Sequence, residues 1–63
     1  MEALKQLRKS NKISQEEMSR TLNISLRAYQ LKEKGESELK LSELTTLADK
    51  FNMNLTDFIS RIV

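Results

Sequence analysis

An all-α fold of five short helices is predicted for this 63-residue chain by three features of its sequence. Apolar residues recur three and four positions apart in five successive windows, the spacing that lines one face of a helix. Helix-capping residues stand directly before three of those windows (Ser14, Ser25, Asn54), and helix-stopping residues follow three (Asn23, Gly35, Asn52). No stretch alternates apolar and polar residues over a useful strand length, and no repeat, linker or low-complexity tract appears, so residues 1–63 are expected to form a single domain.

The first helix is expected over Glu2 to Ser10, with Leu4 and Leu7 facing inward. Lys5, Arg8 and Lys9 fall toward its last turn, a sign that suits the helix dipole, and Asn11-Lys12 is the exit turn. Ser14 followed by Glu17 reads as a capping box that satisfies helix-start N–H groups in both directions, so a second helix begins at Gln15. Its inward stripe is Met18 and Leu22, with Ile13 just outside the cap. Asn23 ends it, because asparagine tolerates a left-handed backbone better than other residues with a Cβ.

Ser25 reopens the chain as the cap of a third helix running to Lys34, and Gly35 releases it. At 100° per residue Ala28, Tyr29, Lys32 and Glu33 share one side of this helix, and Leu26, Arg27, Gln30, Leu31 and Lys34 share the other. Tyr29 is the expected inward anchor. Two short helices about a tight turn, closed by a glycine over residues 14–35, have the layout of a helix-turn-helix that reads DNA. Glu36-Ser37-Glu38 is then a polar loop, and Leu39 or Leu41 returns the chain to the core.

A fourth helix from Leu41 turns Leu44, Leu47, Ala48 and Phe51 inward and closes at Asn52. Asn54 with Asp57 forms a weaker capping box for a fifth helix, whose stripe is Leu55, Phe58, Ile59 and Ile62. The end of that stripe has two readings. Ile59, Ile62 and Val63 either cap the subunit's own core or, with Leu55 and Phe58 satisfying that core, meet a second subunit across a twofold axis.

Composition narrows the function. The chain has no cysteine, histidine or proline, so disulfides, thiolate or imidazole metal ligands and the usual nucleophile–base pairs are unavailable. An enzyme is not expected, nor is a metal or cofactor. No apolar run approaches the length of about 18 residues that a membrane span needs, and no signal-peptide core is present, which makes a cytoplasmic protein the expectation. At this length folding buries only about 60% of the open chain's surface, so stability is expected to be marginal without a partner subunit. Net charge is +2, but residues 1–34 carry eight Lys/Arg against four acids and residues 35–63 carry three against five. The basic half holds the helix-turn-helix, where phosphate would be met.

With these residues in place, the chain resembles, over nearly its full length, the Cro/repressor (XRE-like) family of helix-turn-helix regulators, especially small phage and mobile-element members. The matching residues are Leu4-x-x-Leu7-Arg8, Ser14-Gln15-Glu16-Glu17-Met18, Leu22-Asn23-Ile24-Ser25, Tyr29-x-x-Lys32-Glu33-x-Gly35 and Leu44-x-x-Leu47-Ala48. The resemblance implies a compact, lambda-repressor-like DNA-binding domain in a bacterial or phage-infected cell. Helix 25–34 would enter the major groove, and Gln15, at the positive end of the helix before it, would bind a phosphate together with Ser25 and Lys34. It further implies an ion pair between Arg8 and Glu33 that locks the third helix to the first.

The same resemblance assigns base reading to positions 26, 27, 30 and 31, held here by Leu26, Arg27, Gln30 and Leu31. Arg27 suits guanine and Gln30 suits adenine, each through two parallel hydrogen bonds. The leucines depart from the polar residues that many members carry. They read thymine methyls, or dock on a protein such as an opposing repressor, or, for Leu31, turn into the subunit's own packing. Glu36 and Glu38 occupy a loop where members often carry cations, and Lys40 replaces the usual cap of the fourth helix, which is expected to start raggedly unless Ser42 or Ser37 substitutes. The expected function is a sequence-specific transcriptional regulator of the Cro/repressor type that binds double-stranded DNA as a homodimer on a palindromic operator. The alternative is a protein-interaction module of the same fold, an anti-repressor or the N-terminal domain of a larger regulator, using the Leu26/Leu31 face or the last helix.

Overall fold

A computed structural model describes all residues, 1–63, as five helices: α1 (Glu2–Ser10), α2 (Gln15–Leu22), α3 (Leu26–Lys34), α4 (Leu41–Lys50) and α5 (Leu55–Ile62). α2 packs between α3 and α4, while α1 packs on α3 and α5 and α4 closes against α5. The inward stripes meet in one core of Leu4, Leu7, Met18, Tyr29, Leu47, Ala48, Phe58 and Ile62. Phe51 packs against this core and stacks on Phe58 with ring centroids 5.9 Å apart. No helix is long and apolar enough to cross a membrane.

The first four helices end in one manner. Lys12, Asn23, Gly35 and Asn52 each adopt a left-handed backbone, with φ of 58° at the three non-glycines and 87° at Gly35. The N–H of the next residue, Ile13, Ile24, Glu36 or Met53, then donates to a carbonyl five residues back, at 2.9–3.1 Å. Ile13, Ile24 and Met53 also pack on the core, so those three turns are fixed by a hydrogen bond and by apolar contact together, while the turn at Gly35 has the hydrogen bond alone. A Cβ at Gly35 would meet nothing closer than 3.9 Å, so backbone angle rather than space is what asks for glycine there.

The helix starts differ from expectation in instructive ways. Ser14 Oγ accepts the Glu17 N–H at 3.0 Å, but the Glu17 carboxylate turns away from the cap and pairs with Lys50 Nζ at 2.8 Å. Half of the capping box is thereby replaced by a tie between α2 and α4. α4 starts cleanly despite Lys40, because the Glu43 carboxylate accepts the Lys40 backbone N–H at 2.8 Å, and neither Ser37 nor Ser42 is needed. Asn54 caps α5 by accepting the Asp57 N–H at 2.8 Å. Leu39 packs on the core whereas Leu41 is 66% exposed, so the chain re-enters the core at residue 39.

Candidate nucleic-acid interface

α3 is held from beneath by a fully hydrogen-bonded cluster of polar side chains. Arg8 of α1 meets Glu33 of α3 in a two-bond fork, Nε to Oε2 at 2.8 Å and Nη2 to Oε1 at 3.1 Å. Both residues are buried, at 7% and 5% exposure. The third arm of the guanidinium, Nη1, donates to the Ile13 carbonyl at 2.8 Å. The Tyr29 hydroxyl donates to Glu33 Oε2 at 2.7 Å, which places the polar end of the inward anchor on the same carboxylate. No buried side-chain nitrogen or oxygen in the protein lacks a partner, the condition under which such a cluster is tolerated in a core.

The electrostatics follow from these contacts. Burial acts against the charge on Glu33, but donation from Arg8, Tyr29 and Gln15 outweighs it and holds the carboxyl below the usual glutamate range. The Arg8 guanidinium is pushed up by its bonds to Glu33. Burial, with the bond to Glu33 second, drives the Tyr29 hydroxyl far above its ordinary value, so it stays a donor.

Lys32 provides a second fastening, which the sequence signalled only by placing a lysine on the inward side of a helical wheel. Its buried ammonium donates to the Glu38 carbonyl at 2.9 Å and pairs with Glu43 at 3.1 Å. The cation therefore clamps the end of α3 to the following loop and to α4. Burial opposes the charge of Glu43, yet the Lys40 N–H and Lys32 together keep its carboxyl below the usual range.

Above this platform the outward side of α3 is available. Arg27 and Lys34 are exposed, Leu26 is 38% exposed, and Gln30 and Leu31 are half-buried. Gln15, Arg27, Gln30, Leu31 and Lys34 line one polar cleft of about 550 Å³, with Lys5 of α1 also in its lining. The sequence places Lys5 only on α1 and not in this cleft, because nothing local reveals that α1 borders the outward side of α3. Ser25 and Leu26 lie outside the cleft, and the Ser25 hydroxyl accepts the Ala28 N–H at 3.0 Å. Gln15 is half-buried, with its Nε2 donating to Glu33 Oε1 at 3.0 Å and its Oε1 accepting from Gln30 Nε2 at 3.3 Å. Glu36, Glu38 and Lys40 are exposed.

The end of α5 divides between its two readings. Ile62 is 5% exposed and belongs to the core, on a helix that packs against α1 and α4, whereas Leu55 is half-buried and outside the core cluster. Val63 is 95% exposed and Ile59 is half-buried, and both border an apolar groove of about 400 Å³ that Leu39 and Leu44 also line.

Comparison with known proteins agrees with this geometry. A family model described as helix-turn-helix matches residues 4–58, from the first core leucine of α1 to the core phenylalanine of α5. Neither the curated proteins nor the solved structures gave a match. The chain belongs to the helix-turn-helix family of the Cro/repressor (XRE-like) type, a family of DNA-binding regulators.

Proposed function

We propose that this helix-turn-helix chain is a sequence-specific transcriptional repressor, of the kind found in phages and mobile elements, that acts as a homodimer on a palindromic operator in the cytoplasm. The observation that carries the reading is the division of α3 into two sides. Tyr29, Lys32 and Glu33 are buried and tied to α1, α4 and the loop, while Leu26, Arg27 and Lys34 are exposed on a rod that cannot easily move. A side chain that reads a base edge must be both accessible and held in register, and such an arrangement supplies both.

In this reading Arg27 contacts guanine and Gln30 adenine, and Leu26 and Leu31 pack on thymine methyls. Gln15, Ser25 and Lys34 hold phosphates, with the N-terminus of α2 contributing free N–H groups. The largest dimension of the subunit is 26 Å. Two successive major grooves lie about 34 Å apart, so one copy cannot reach both and a dimer is required for a two-site operator. Ile59 and Val63, beside their apolar groove, are the proposed contact between copies.

A second reading has an observation of its own in the exposed Leu26 and the groove at Ile59 and Val63, which suit a regulator protein as partner. Substitution separates the two. Arg27→Ala weakens duplex binding and erases one guanine preference if α3 reads DNA, with a cost of about 1–3 kcal/mol in discrimination at that base pair. Leu26→Ser with Leu31→Ser is the damaging change, and Arg27→Ala the silent one, if an apolar protein contact is the function.

A further inference from the structure

The amide of Gln15 bridges the buried carboxylate of Glu33 and the amide of Gln30, and the chemistry of the three groups permits only one orientation. An ionised carboxylate accepts hydrogen bonds and donates none. Glu33 Oε1 therefore requires the nitrogen end of Gln15, and that contact is 3.0 Å long. Arg8 and Tyr29 donate to the same carboxylate at 2.7–3.1 Å, so it is held in place as an ionised acceptor beneath the amide. With its nitrogen committed inward, Gln15 presents its oxygen to Gln30, which must answer with its own nitrogen, at 3.3 Å. Reversing Gln30 would set two oxygens against each other.

Gln30 has two N–H bonds, and giving one to Gln15 leaves a donor and a carbonyl acceptor for the polar cleft that Gln30 lines. Adenine presents an acceptor and a donor in the major groove, the complement of that pair. A free glutamine could rotate its amide and present the pair in either order.

Resting on the reading of α3 as the base-reading helix, we infer that Gln15 is a positioning residue for specificity: anchored by Glu33, it fixes the Gln30 amide in one polarity and so sets the adenine preference at one operator position. The ion pair beneath α3 thereby governs sequence preference as well as stability. This role is separate from holding a phosphate, which the second N–H of Gln15 remains free to do.

The test uses the full chain and a pool of random-sequence duplex DNA, comparing wild type with Gln15→Met, which keeps length and volume and removes both hydrogen bonds. Side-chain amide NMR of the free proteins is recorded alongside, with Gln6, bonded to Glu2 at 2.7 Å, as internal reference. Gln15→Met is expected to shift the Gln30 amide signals while leaving those of Gln6 in place. In the selected duplexes it lowers the preference for adenine at the Gln30 position by about tenfold, the equivalent of one hydrogen bond, and spares the guanine read by Arg27. Glu33→Gln, whose amide can meet either end of Gln15, produces the same loss where it folds.

A uniform loss of affinity with an unchanged preference profile would mean that Gln15 only holds a phosphate, and overturns the inference. Unmoved Gln30 signals overturn it from the free protein alone. Gln30→Ala and Arg27→Ala separate this failure from that of the underlying reading: if Gln30→Ala leaves the profile of the wild type unaltered, Gln30 reads no base and the positioning role falls, whereas α3 is lost as the base-reading helix only if Arg27→Ala leaves the profile unaltered too. If Gln30→Ala erases the adenine preference while Gln15→Met does not, only the positioning role is lost.

Discussion

Glu33 ties α3 to its neighbours more than any other residue of the helix, since its two oxygens receive Arg8, Tyr29 and Gln15. Arg8→Ala strands a buried carboxylate and Glu33→Ala a buried guanidinium, and each is expected to cost about 3–5 kcal/mol in urea unfolding. The double variant should lose much less than the sum of the two, as a coupled pair requires. Because the Glu33 carboxyl is held below its ordinary value, the unfolded chain binds the proton more readily than the folded one. Its contribution is therefore complete above the ordinary glutamate pKa of about 4.3 and disappears as pH falls through the lower folded-state value. Urea midpoints measured from neutral pH downward should fall in that acid window, with a shallower slope in Glu33→Gln. The roles of Arg8 and Glu33 were legible through family resemblance. The Gln15–Gln30 contact was not, since residues fifteen positions apart meet only where α2 crosses α3, and a one-dimensional pattern contains no crossing angle.

At the scale of elements, the helices were readable because their signals are local. Ser25 and Gly35 delimit α3, and Asn54 opens α5, within the residues expected. Signals failed where a distant group competed with a local one. Glu17 had the right spacing to complete a capping box, but Lys50 of α4 lies within 2.8 Å and offers a full opposite charge. Lys40 lacked a capping side chain, and Glu43 supplied the missing bond from three residues ahead. Glu43→Ala removes that bond and leaves the buried Lys32 ammonium without its carboxylate, so a loss of about 1–3 kcal/mol is expected from thermal or urea unfolding. Lys12 holds a left-handed backbone that costs an ordinary residue about 1–2 kcal/mol. Lys12→Gly should accordingly raise the melting temperature or leave it level, since glycine's greater unfolded-state freedom offsets part of the relief. A clear drop would mean that the Lys12 side chain contributes contacts that offset its backbone strain.

For the whole molecule, charge and size set the terms of DNA binding. The basic excess lies in residues 1–34, which form the helix-turn-helix and α1, and the acidic excess lies in the later half. With Glu36 and Glu38 exposed on the loop after α3, nonspecific affinity is expected to be modest, and discrimination must come from the base contacts. Sedimentation at micromolar concentration tests the proposed association: Val63→Asp should dissociate a dimer held at the groove, and a wild-type chain that stays monomeric even on duplex DNA removes that contact. Of the two readings of the end of α5, Ile62 follows the first, because a 63-residue domain has few apolar side chains to fill its core.

The central claim, that the outward side of α3 meets DNA as a dimer, is tested most directly by the salt dependence of binding to a selected duplex. If each subunit neutralises about three to five phosphates, affinity should fall on the order of 10³–10⁵ between 50 and 200 mM salt. Arg27→Ala should weaken that duplex while largely preserving its salt slope. A wild-type affinity that stays flat over the same range would contradict the account.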